Sequence, residues 1–353
     1  MRKSGIEMIR LLAMFFVVTL HVLGAGGILR SVEKGSQTYF VLWLIEIIAY
    51  IAVNLFGLIS GYVMYQKKMT VKKFLNFYFR VFFYTIMIWL VMLAMGWYDA
   101  DFGVAFLMSL PHKTKLWYIQ CYFMLMILMP LFNLFLQKTE EKYLLRYLFI
   151  LVATMLIYPA FENNDVWDFD GGYSIIWLCL LYFAGGVIAK CKIDEMVSRK
   201  RWMFYWLISV LFIWGSKIGM EQVANRGAQE YEEYNFLITY VSPPMVIAAF
   251  CLFCAFSTIR IKMPKWFYVV SGASFGVYIV HLHHALTGII ITNRFVVYAQ
   301  WPAIKMLLRI ACGIVGIFVC SLVISIVLGF LYDKIWLWMN RMLERRKANE
   351  KQM

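Results

Sequence analysis

The chain has 353 residues, 63% of them hydrophobic and 15% charged, with a mean hydropathy of +0.71. This composition excludes a soluble globule and reads as an integral membrane protein. The net charge of +14 is not a nucleic-acid signature, because the basic residues lie between apolar runs, where they face anionic lipid head groups.

Ten apolar runs are long enough to be candidate spans: 6–28, 40–64, 75–97, 117–136, 144–160, 174–190, 202–219, 235–257, 271–291 and 303–331. The chain is therefore expected to be an all-α integral membrane protein of about ten transmembrane helices. One polytopic domain covers 1–340, and a charged tail covers 341–353. The N-terminus and alternate connections carry 22 Lys and Arg, against 7 in the others. The positive-inside bias then places both termini in the cytoplasm. Acidic residues (Glu162, Asp165, Asp168, Asp170, Glu230, Glu232, Glu233) gather on the other side.

The first run carries Arg10 and His21. Eleven helical steps bring them back to one face, about 16 Å apart along the axis. A cation and an imidazole inside an apolar run are costly and point to function. They also argue against a cleaved signal peptide, despite the small residues at 24–27. The second run holds Glu46, Asn54 and the sequence Leu58-Ile59-Ser60-Gly61-Tyr62. Counted along its helix, Glu46 falls at nearly the depth of His21, so an acid–imidazole pair is a candidate. The alternative is a protonated Glu46 that only supports packing.

A lysine run at 67–73 follows, with Arg80 just inside the third segment. Such lysines hold topology and touch lipid phosphates. The functional alternative is that they, with Arg10 and Arg80, hold the phosphates of a nucleotide-like donor. Segment four opens with Leu116-Trp117-Tyr118-Ile119; Trp117 and Tyr118 are either interfacial anchors or a platform for a sugar. Pro130 is read as its end. Gly185-Gly186 closes segment six and permits close helix packing. Pro243-Pro244 should break or kink segment eight. Segment nine runs Ser271-Gly272-Ala273-Ser274-Phe275-Gly276-Val277-Tyr278-Ile279-Val280-His281, then Leu282-His283-His284. On a continuous helix His281 and His284 share a face, and Ser274, Tyr278 and His281 form a polar stripe. No Cys or Glu-x-x-His pattern completes a metal site. Arg309, in segment ten, needs an anionic partner or a water-filled cavity.

Taken together, Ile-Glu-x-x-Arg-x10-His, Leu-Ile-Ser-Gly-Tyr, Leu-Trp-Tyr-Ile and Ser-Phe-Gly-Val-Tyr-Ile-Val-His, in this order over residues 6 to about 331, resemble the acyltransferase-3 family of bacterial membrane acyltransferases. The resemblance implies transfer of an acyl group, usually acetyl, from cytosolic acyl-coenzyme A to a hydroxyl of a surface carbohydrate or its lipid-linked precursor. It also implies a multi-pass protein of the bacterial plasma membrane. The family's first-helix Arg and His fall on Arg10 and His21. In that scheme Arg10 and Arg80 bind acetyl-CoA, His21 is the catalyst, Glu46 or His281 orients it, and Trp117 and Tyr118 meet the acceptor. Many members place His before the Leu-Trp of segment four, where this chain has Lys115. Some carry a fused esterase-like domain; none is read here, so a separate extracytoplasmic transfer protein is one expected partner. The rival reading is a flippase or exporter of a lipid-linked saccharide, which accounts for many spans but not for the ordered motifs.

Overall fold

Backbone N–H and C=O groups must be satisfied without water in a bilayer, so apolar runs of this length fold as helices. A computed structural model describes residues 3–97, 101–114, 116–161, 165, 167–227 and 230–350, with backbone alone for 154–161 and 343–350. Lys115 and Glu162 lie outside the described residues. In chain order the helices are α1 (Ser4–Leu23), α2 (Ile28–Ser31), α3 (Gln37–Tyr50), α4 (Ala52–Met64), α5 (Val71–Ala94), α6 (Phe102–Ser109) and α7 (Trp117–Lys138). They continue with α8 (Glu141–Phe161), α9 (Ile175–Cys191), α10 (Arg199–Ala224), α11 (Pro243–Ser257), α12 (Lys265–His281), α13 (His284–Ile290) and α14 (Ala303–Glu350).

Each of the ten apolar runs is helical over most of its length, but not all are span-length helices. Among the described residues six stretches are long and apolar enough to cross a bilayer, or seven if α12 and α13 count as one bent span. The shorter α9 and α11 have 17 and 15 residues, about 26 and 22 Å against a core of about 30 Å. The expected span 235–257 loses its first turns because Pro243 and Pro244 start α11 instead of kinking it. Their missing N–H groups cost nothing in a first turn. Conversely, Pro130 does not end segment four: α7 runs through it to Lys138. The continuous ninth span is corrected too. The chain turns by 81° between α12 and α13, so His281 and His284 do not share a helical face.

The centre of the bundle is α1, which packs against α3, α4, α11, α12 and α14. Its apolar residues point in all directions because it is buried in all directions. Ile9 and Ala13 join one apolar core with α4, α10 and α11. Met14, Val17 and Val18 join a second with α5, α12 and α14. Gly5 makes the α1–α11 approach possible, since a Cβ there would lie 1.8 Å from the Phe256 carbonyl oxygen.

Helices α4 and α9 form the most extensive helix pair, as the small residues of segment six led us to expect. A Cβ on Gly61 would meet the Tyr182 carbonyl oxygen at 1.8 Å, and one on Gly185 the Leu58 carbonyl oxygen at 2.2 Å. The obstacle is backbone in both cases, so it cannot rotate away. Gly61→Ala and Gly185→Ala are each expected to lower unfolding stability by about 1–3 kcal/mol, the cost of overpacking. Gly219→Ala, which meets open space, should be neutral or stabilising by up to about 1 kcal/mol. Thermal unfolding in detergent of the three variants checks this contrast.

A buried ion pair pins the far end of α10. Lys217 Nζ lies 2.5 Å from Glu221 Oε1 and 2.8 Å from Asn235 Oδ1, with both charged side chains essentially inaccessible. Glu221 also accepts from Tyr39 and Tyr231 hydroxyls and the Tyr234 amide, and the ammonium sits 3.8 Å over the Trp43 ring. The pair ties α3 and α10 to the segment 230–242. Lys217→Met alone leaves a buried carboxylate uncompensated and should cost about 3–5 kcal/mol. Adding Glu221→Leu should recover much of that loss in the same unfolding assay.

Candidate functional site

The site forms where α1 and α12 bring two imidazoles together. His21 Nδ1 is 2.7 Å from the Val17 carbonyl oxygen, one turn back on its own helix. His281 Nδ1 is 2.6 Å from the Val277 carbonyl oxygen in the same relation. A carbonyl oxygen can only accept, so each ring carries its proton on Nδ1 and leaves Nε2 bare. His281 Nε2 then lies 3.2 Å from His21 Nδ1 and accepts a share of that N–H. His281 is fully buried and its ring centroid is 5.1 Å from that of His21. His21 is thus held by two acceptors on one nitrogen and presents a lone pair on the other. Both acceptors would stabilise the imidazolium formed when Nε2 takes a proton.

The expected His21–Glu46 pair is not formed. Among the described residues no hydrogen bond or ion pair joins them, and the buried Glu46 Oε2 has no partner. Both residues line one cavity of about 240 Å³, which the depth argument allows. What it could not see is that the Val17 carbonyl draws the imidazole back along α1 and toward α12. His281, the other candidate for orienting the ring, is the residue in contact.

Trp117 and Tyr118 also line the Glu46 cavity. Three tyrosines that no motif announced join them: Tyr50, Tyr173 and Tyr240. Trp117 packs on Tyr173 at 4.8 Å, and Tyr173 on Tyr240 at 5.1 Å, between ring centroids. Asn54 secures this wall by donating to the Tyr240 carbonyl while accepting from Trp177 Nε1.

A second cavity, of about 420 Å³, lies beside the N-terminal part of α1 and is lined by Arg10, Lys73 and Arg80. The two arginines named from sequence are therefore brought together, though neither is unengaged. Arg10 donates to Glu7, whose carboxylate also accepts from Ser271 on α12. Among the described residues Glu7 is the sole polar partner of Arg10, so most of its five N–H donors remain for another group. Arg80 Nη2 is 2.7 Å from Asp333 and the guanidinium lies 4.9 Å over the Tyr332 ring. Glu7 was missed as a site residue, although its spacing to Arg10 is that of neighbours on a helix.

A third cavity of about 330 Å³ also touches His21 and reaches Lys113, His283 and His284. Both ring nitrogens of His283 are occupied: Nε2 faces the Thr85 carbonyl at 3.2 Å, and Nδ1 accepts from the Ala285 amide that starts α13. His283 therefore caps the break. Arg309 departs from expectation as well. It is exposed and donates to the Tyr298 hydroxyl at 3.1 Å, and among the described residues no carboxylate pairs with it.

A family model described as an acyltransferase domain matches residues 3–326, nearly the whole chain. The chain belongs to the acyltransferase-3 family. It is a multi-pass membrane acyltransferase. No curated protein and no solved structure matches it significantly. For this acyltransferase, ¹⁵N NMR of histidine-labelled protein is expected to show His21 and His281 as neutral Nδ1–H tautomers and His283 as the Nε2–H tautomer. A protonated Nε2 on His21 would contradict the assignment.

Proposed function

We propose that this acyltransferase moves an acetyl group from cytosolic acetyl-CoA to a hydroxyl of a cell-surface carbohydrate or its lipid-linked precursor, in the bacterial plasma membrane. The observation that carries the proposal is the order of groups along α1: Arg10 in a cationic cavity, then His21 with a bare Nε2 in an aromatic one. Acyl-CoA has the matching order, with phosphates at one end and a thioester at the other. The roughly 16 Å between Arg10 and His21 suits an extended pantetheine arm. The positive-inside bias puts the Arg10 end in the cytoplasm, where the donor is made.

In the donor complex Arg10 and Lys73 hold phosphate oxygens, Arg10 through charge-assisted bonds. Arg80 contributes less, because Asp333 already shares its charge. The thioester carbonyl reaches His21. Two chemistries use the same nitrogen. As general base, Nε2 takes the proton of the acceptor hydroxyl while its oxygen attacks the carbonyl; the C–S bond breaks and the thiolate recovers the proton. As nucleophile, Nε2 attacks the thioester carbonyl and the C–S bond breaks, expelling the coenzyme A thiolate; the acceptor hydroxyl then attacks the acyl-imidazole, the C–N bond breaks to restore Nε2, and the hydroxyl proton passes to the thiolate. In both, the positive charge on the His21 ring spreads toward the Val17 carbonyl and His281. Trp117 and the tyrosines around it offer the sugar apolar faces and hydroxyl partners.

The direct test is acetyl transfer from labelled acetyl-CoA by membranes containing the protein and its native acceptor. His21→Ala is expected to lose at least about 100-fold in turnover while retaining donor binding. Arg10→Ala should raise the donor KM about tenfold or more, the value of a lost charge-assisted hydrogen bond. Arg80→Ala should raise it less. Full activity in His21→Ala would overturn the catalytic role, and unchanged donor affinity in Arg10→Ala the phosphate role.

A further inference from the structure

The cationic and aromatic cavities share three lining residues: Phe56, Tyr118 and Phe275. These come from three different helices, and each marks a boundary on its own helix. On α4, Val53 lines the His21 cavity and Ser60 the Arg10 cavity, with Phe56 between them in both. On α7, Trp117 belongs to the His21 side and Tyr122 to the Arg10 side, with Tyr118 in both. On α12, Tyr278 and Ser274 are divided in the same way around Phe275. On each of the three helices, therefore, the residue at the boundary between the two cavities is aromatic.

The rings are held by neighbours. The Phe56 and Tyr118 centroids are 6.1 Å apart, Tyr118 stacks on Tyr122 at 6.1 Å, and Phe275 packs on Phe77 at 5.1 Å. Interiors packed this way resist opening, and side chains in them move between discrete rotamers. The three cations lie on one side of the rings, and the imidazole with Glu46 on the other.

From this arrangement we infer that Phe56, Tyr118 and Phe275 form an aromatic diaphragm that selects the acyl group by size. The inference rests on the proposed donor geometry: a thioester that reaches His21 from phosphates at Arg10 passes between these rings, acyl end first. Acetyl is the smallest acyl group that does so with a C–C bond, and each added methylene must be accommodated at the ring edges. The same rings keep water of the cationic cavity away from the thioester once the narrow arm fills the gap. The diaphragm acts by bulk alone, on chain length and on water. It contacts the donor and takes no proton.

The test compares acetyl-, propionyl- and butyryl-CoA as donors to the native acceptor, in membranes containing wild type, Phe275→Ala, Phe56→Ala or the conservative Phe275→Leu. Wild type should prefer acetyl. Because one methylene in an apolar site is worth about tenfold or more in discrimination, removing a ring should raise the butyryl-to-acetyl ratio of kcat/KM by at least about tenfold. Acetyl turnover itself should change by only a few-fold, and Phe275→Leu should fall between. Having variants on two helices keeps the test open should one of them fold poorly. A butyryl-to-acetyl ratio unchanged in both alanine variants overturns the diaphragm, as does a wild type indifferent to chain length. A wild type that uses no acyl-CoA at all overturns the donor reading beneath it, and the two failures are thereby distinguished.

Discussion

Two backbone carbonyls, those of Val17 and Val277, decide what this site can do. Each accepts a hydrogen bond from the Nδ1–H of the histidine one turn further along its helix. In water such a bond would exchange freely with solvent. In a buried site an unpaired N–H is expensive, so the bond is kept and the tautomer with it. The bare Nε2 lone pair of His21 then follows from helix geometry, and His281 leans a second acceptor against the same N–H. The helical i, i+4 relation thus does for these rings what a carboxylate does for many catalytic histidines, and Glu46 is left free to face the cavity.

The packing of α1 serves the same end. A helix carrying an arginine and a histidine could not lie against lipid without cost, and here it is enclosed by five helices. Close approach by Gly5 and the contact of Glu7 with Ser271 fix its N-terminal turn to α11 and α12. Because Arg10 hangs from that same Glu7, Arg10 and the histidine pair are positioned by one helix pair, α1 with α12. Movement of either helix would shift both ends of the site together.

Much of this was legible in sequence. Apolar run length announced the major helices, and the shared face of Arg10 and His21 follows from 3.6 residues per turn. Gly185-Gly186 signalled a close crossing, although only the structure reveals α4 as the partner and Gly61 as its counterpart. Other features depend on where elements end. Pro130 and Pro243-Pro244 read alike as breakers, yet one lies within a helix whose neighbours tolerate it and the other begins one. The bend at Leu282 carries no Gly or Pro, so the three nearby histidines could not be sorted until their partners were seen. The His21–Glu46 reading failed because depth fixes level, not azimuth: residues at one height can face one cavity without touching. Tyr50, Tyr173 and Tyr240 converge from separate segments, and tyrosine is too common in this chain to mark them.

The central claim is that the donor lies along α1 with its phosphates at Arg10 and its thioester at His21. The most direct measurement is a cryo-EM structure of the protein in a lipid nanodisc with a non-hydrolysable acetyl-CoA analogue. The account predicts phosphate density against Arg10 and Lys73, the pantetheine arm between Phe56, Tyr118 and Phe275, and the acyl carbon within about 3.5 Å of His21 Nε2. Phosphates bound at the opposite end of α1, or an acyl group directed away from His21, would contradict it.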